Sequence, residues 1–171
     1  MRGFVGWRGH SVLALAARLY LGAIFLLACW HKILDPGAFA VDIATYQILP
    51  LGLVNPMAIV LPWVELAAGL MLLVGYRTPA AALLVASMMA VFTAAVALAL
   101  GKGLDMSCGC FASQGAAEDP ISWQTIMRDL SWLLLALYVL VLDRRPLGAD
   151  RLWPRGTRAP RVSDNLSKEG L

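Results

Sequence analysis

Charge and cysteine are what this sequence has least of. Asp, Glu, Lys and Arg make up 15% of its 171 residues, against about 25% in a typical soluble domain. The apolar share is 60%, where about 45–50% is usual, and mean hydropathy is +0.71. A water-facing surface cannot be built from so few charges, so a bilayer is the expected solvent. Three cysteines exclude a disulfide scaffold and leave each thiol to be read singly. The net charge of +3 does not point to nucleic acid. Half of the fourteen Lys and Arg lie in the last 29 residues, after an apolar run, which suits a topology signal or contact with anionic lipid.

Four apolar stretches predict four membrane-spanning helices: about Val12 to Trp30, Met57 to Gly75, Ala80 to Leu100, and Ile121 or Ile126 to Leu142. Each approaches the ~20 residues that a helix rising 1.5 Å per residue needs to cross ~30 Å of hydrocarbon. The first is too long past Arg18 for the ~7–15-residue core of a cleaved signal, and is expected to be retained. Asp35-Pro36-Gly37 carries an N-cap and a first-turn proline, and predicts a short interfacial helix through Tyr46, with Phe39, Ile43 and Tyr46 at helical spacing. The fold expected is therefore all-α: a polytopic four-transmembrane-helix bundle with a short interfacial helix between spans 1 and 2. Residues 1–11 form an N-terminal segment, 12–142 the membrane domain, and 143–171 a basic, loosely ordered tail.

Ten Lys and Arg flank the spans on one side, namely Arg2, Arg8, Arg77 and seven in the tail, and only Lys32 and Lys102 on the other. The positive-inside rule then places both termini in the cytoplasm. Cys108 and Cys110 fall in the loop between spans 3 and 4 on the opposite face, and Cys29 lies near that face, where thiols are driven toward disulfides. A Cys108-Gly109-Cys110 bridge closes a very small ring, which needs a sharply bent backbone, and Gly109 allows one. Such a ring is expected to exchange readily with another protein. Free thiols, an inert clasp and soft-metal binding remain as alternatives. Cys29 is a candidate third thiol or a small apolar helix residue, and Trp30-His31-Lys32 reads as an interfacial anchor.

Arg18 and Glu65 fall inside the first two spans, where a lone charge costs at least ~2.5–3.5 kcal/mol. From the span boundaries their depths differ by only ~4–5 Å, which predicts an Arg18–Glu65 pair, either locking two helices or forming a polar pocket for a quinone head group. Arg128 and Asp129 are expected to cluster below the thiol loop or to be solvated at the interface.

Trp30-His31-Lys32-Ile33-Leu34-Asp35-Pro36, Tyr46-Gln47-Ile48-Leu49-Pro50, Leu61-Pro62-Trp63-Val64-Glu65-Leu66 and Cys108-Gly109-Cys110-Phe111, in this order, resemble the methylamine utilisation protein MauE family among DoxX-like membrane proteins. Cys108 and Cys110 match that family's Cys-Gly-Cys, and Glu65 its Pro-Trp-x-Glu. Ala112 stands where the family usually has Gly. The resemblance implies a bacterial inner-membrane component that assists disulfide formation in an exported protein such as the small subunit of methylamine dehydrogenase, alongside a thioredoxin-like periplasmic partner resembling MauD. It leaves open whether the chain is an accessory thiol–disulfide oxidoreductase or a non-catalytic docking protein. Lipid and that partner are the expected associates, nucleic acid is not, no metal site is expected, and a quinone is the one cofactor considered.

Overall fold

A computed structural model describes residues 8–104, 106, 108, 109 and 120–143. Among them are five helices: α1 (Arg8–Leu34), α2 (Pro36–Thr45), α3 (Leu51–Val74), α4 (Thr78–Gly101) and α5 (Trp123–Leu142). All but α2 are long and apolar enough to cross a membrane. Leu27, Leu51, Val91 and Leu134 are among the many large apolar side chains left exposed, as expected where lipid is the neighbour. The anticipated α-helical bundle and short connecting helix are thus present. Cys110 and the basic tail lie outside the described residues.

Local chemistry sets the helix ends. The Asp35 carboxylate accepts from the Ala38 N–H at 2.9 Å, with Pro36 at the start of α2. α3 ends at Gly75, whose φ of 72° is the left-handed conformation that glycine takes without a Cβ penalty. Ser122 and Thr125 cap α5 reciprocally.

The span boundary that departs most from expectation is the start of α3, at Leu51 instead of Met57. Pro56 and Pro62 lie inside this helix. Proline deletes a backbone donor, but a membrane helix tolerates it where neighbouring groups compensate.

α1 runs antiparallel to α3 and touches it through glycine. A Cβ on Gly22 would come within 2.7 Å of Leu73 and 3.0 Å of the Gly69 carbonyl, so this crossing needs hydrogen there. α4 and α5 form the second close pair, and Leu21, Leu72, Val85, Ala136 and Val139 fill the shared core of all four spans. A second cluster, containing Tyr46, Val96, Met106, Cys108 and Ile126, lies at the end of the bundle that carries the α4–α5 loop. There the Ile121 N–H donates to the Met106 carbonyl at 3.0 Å, drawing the two ends of that loop together.

Candidate functional site

The site is built at the loop end, where α2 folds back over the bundle. Phe39 and Tyr46 are buried, so the apolar stripe of α2 faces protein as well as the membrane boundary. The Tyr46 hydroxyl donates to the Cys108 carbonyl at 2.7 Å, tying α2 to the thiol loop across 62 residues of sequence. Gly109 has φ of 66°, which confirms the bent backbone expected there. A Cβ at Gly109 would meet the Asp42 side chain at 3.1 Å, so α2 presses directly on the turn.

Cys108 is 1% exposed and disulfide-bonded. Arg128 of α5 donates from Nη2 to its Sγ at 3.2 Å. The same guanidinium contacts the Asp129 carboxylate at 3.3 Å and stacks 5.0 Å from the Trp132 ring centroid. The polar cluster expected below the loop is therefore present, with the sulfur as part of it. A fixed positive charge at this distance stabilises negative charge on sulfur, which is how proteins make a thiolate a better nucleophile and leaving group.

Behind Cys108 lies a cavity of about 400 Å³, within the range of ligand pockets. Ile24, Phe25 and Ala28 of α1, Met57 and Leu61 of α3, and Val91, Phe92 and Ala95 of α4 make it largely apolar. Its polar side chains are few, namely Lys32, Asp42, Tyr46, Glu65, Ser87 and Asp129, and Cys108 and Gly109 of the thiol loop complete the lining. Lys32 Nζ donates to both Glu65 oxygens, at 2.9 and 3.0 Å, and lies 4.8 Å from the Phe39 ring centroid. Both partners of this ion pair are buried.

The anticipated Arg18–Glu65 pair does not form. Glu65 is paired with Lys32, whereas Arg18 meets Asp143 at 3.7 Å at the other end of the bundle. The Gly22–Gly69 crossing sets the register and places Arg18 level with Leu73, eight residues and about 12 Å from Glu65 along the helix. Lys32 is farther along α1, but its side chain leans back toward the helix start and reaches the carboxylate. Arg18 is not part of the cavity wall; Glu65 is.

Cys29 is a buried free thiol that donates to the Leu26 carbonyl of its own helix at 3.3 Å. It does not line the cavity. Among the described residues no cluster of three or more His, Cys, Asp or Glu could hold a metal ion. Asp42 lies outside the four spans, and burial pushes its carboxyl above the usual 3.8, with Lys32 acting in the opposite direction. Asp42 and the inward role of Lys32 were not singled out from sequence, since only the fold shows that α2 covers the cavity.

The family model for methylamine utilisation protein MauE matches residues 10–142. The chain belongs to the MauE family. Methylamine utilization protein MauE of Paracoccus denitrificans is 31% identical over 125 residues, covering 72% of this chain and 66% of that protein. Its namesake from Methylophilus methylotrophus is 30% identical over 128 residues, covering 74% and 67%. The chain thus spans about two thirds of the length of these MauE relatives. No solved structure matches it.

Proposed function

We propose that this MauE-family protein is a membrane thiol–disulfide component of methylamine utilisation, and that Cys108 and Cys110 exchange electrons with a thioredoxin-like protein outside the cytoplasmic membrane. The observation that carries this reading is the Arg128 guanidinium 3.2 Å from the Cys108 sulfur. An inert structural clasp has no use for a cation placed to hold a thiolate.

The charge distribution supports an orientation with both termini in the cytoplasm and the thiol loop on the far side. In the exchange, a thiolate of the reduced partner attacks Cys110 Sγ. The Cys108–Cys110 bond breaks, and its electron pair leaves on Cys108 Sγ beside Arg128. The partner's second thiolate then attacks the mixed disulfide and displaces Cys110. The partner departs with a new disulfide, which it passes to an exported client. The two thiols of this chain have gained two electrons and, on protonation, two protons.

The test is the redox state of Cys108 and Cys110 in cells, trapped by acid and alkylation, with and without the thioredoxin-like partner. The pair becomes more oxidised when the partner that reduces it is removed. A redox state indifferent to the partner contradicts the reading. Serine replacement of both cysteines separates it from the docking alternative, since a scaffold keeps client maturation and a redox component loses it.

A further inference from the structure

We propose that the cavity behind Cys108 binds a membrane quinone, which reoxidises the Cys108/Cys110 pair. This rests on the redox reading above and supplies what that reading lacks, an acceptor for two electrons.

The walls of the cavity select the class of ligand. Leu61, Phe92 and Ala95 suit a hydrophobic ring and the first part of an isoprenoid tail. Exposed Met57 and Val91, on α3 and α4, belong to the same wall, so the cavity reaches the lipid-facing surface and a lipophilic molecule can enter from the bilayer. The buried Lys32–Glu65 pair gives this apolar wall a charged partner for a ring carbonyl oxygen. An ammonium has three N–H donors, and Glu65 takes two of those on Lys32, leaving one for a ring carbonyl. A phospholipid acyl chain would fit the walls but has no use for a buried ion pair and a cysteine in the lining.

The chemistry balances. After exchange with the partner, Cys108 is a thiolate and Cys110 a thiol. The Cys108 thiolate adds to a ring carbon of the quinone, forming a carbon–sulfur bond and placing an electron pair on the ring oxygens. Cys110, deprotonated, attacks Cys108 Sγ. The carbon–sulfur bond breaks, its electron pair goes to the ring, and the disulfide is restored. The pair loses two electrons and the Cys110 proton, and the quinone takes these up together with the proton released when Cys108 ionised, becoming a quinol. In this scheme Cys108 reacts with the quinone and Cys110 with the protein partner.

The full chain in nanodiscs of quinone-free phospholipid, reduced and freed of reductant, is mixed with a short-chain ubiquinone. Quinol absorbance and maleimide accessibility of the thiols are followed together. One quinol per disulfide restored is the expected result. Ala95→Phe, which fills the cavity without touching the thiols, slows the reaction at least ten-fold, on the order of one or two methylenes misplaced in a tight pocket. Glu65→Gln, should Ala95→Phe fail to fold, slows it as well. A photoreactive quinone labels the α3 and α4 wall in wild type and not in Ala95→Phe. Disulfide exchange with the partner alone, without oxidation by quinone, overturns the quinone site and leaves the proposed function standing. Quinone oxidation without partner exchange does the reverse. Phospholipid instead of quinone in the cavity, found by native mass spectrometry of protein from whole membranes, also overturns the site.

Discussion

Arg128 Nη2 lies 3.2 Å from Cys108 Sγ, so a side chain of the fourth span holds a positive charge against the sulfur of a loop 20 residues earlier in the chain. Removing that charge disfavours the Cys108 thiolate. Arg128→Gln is expected to shift the alkylation profile of the reduced protein to higher pH and to slow partner exchange about ten-fold near neutrality, with recovery as the pH is raised. Arg128→Lys keeps the charge and restores part of the rate. An unchanged pH profile in Arg128→Gln would show that the guanidinium acts only in packing.

The Lys32–Glu65 pair is buried on both sides. Removing one partner leaves the other charge uncompensated, and about 3–5 kcal/mol of stability is the expected loss for Lys32→Met or Glu65→Leu alone. The double substitution recovers most of it, because no charge is then left buried. Denaturant titration of the four proteins in detergent gives the coupling. Additive single losses would mean that the two residues do not act as a pair.

Gly109 has φ of 66°, and Asp42 lies 3.1 Å from where its Cβ would stand. Gly109→Ala combines left-handed strain with a clash, and is expected to cost about 1–2 kcal/mol for the backbone alone. Adding Asp42→Gly relieves the clash and not the strain, so it recovers part of the loss. Full recovery in the double variant would mean that the backbone conformation is not held at residue 109.

Burial raises the Asp42 carboxyl pKa above 3.8. The folded protein then binds this proton more tightly than the unfolded chain does, so Asp42 favours the native state at low pH. That contribution is lost as pH rises from 3.8 through the folded pKa. Tm in detergent should fall across this window for the wild type relative to Asp42→Asn, in which the group does not titrate. Parallel profiles would contradict the burial of a titrating carboxyl there.

Much of this fold is legible in the sequence because a bilayer allows few solutions. Four apolar runs of spanning length must be helices, and Asp35-Pro36 must open another. The site is only half legible. Cys108, Gly109, Arg128 and Glu65 stand out as rare residue types in an apolar chain, but their partners are set by register. α3 starts at Leu51, before Met57, and the Gly22–Gly69 crossing leaves Glu65 eight residues from the level of Arg18, so that Lys32 takes it instead. Pro56 and Pro62 obscure that start, since prolines ordinarily mark a helix end. Asp143, just past the last span, reads as part of the tail until Arg18 is seen to reach it. The Tyr46 bond to Cys108 joins positions 62 residues apart, and no local pattern encodes it.

Capture of the exchange intermediate tests the redox reading most directly. Cells carrying Cys108→Ser, in which Cys110 has no neighbour to resolve it, should accumulate a mixed disulfide between Cys110 and the thioredoxin-like partner, seen as a reducible band on non-reducing gels, and Cys110→Ser should accumulate far less. Equal absence of that species in both variants, with the partner present and folded, would contradict the account.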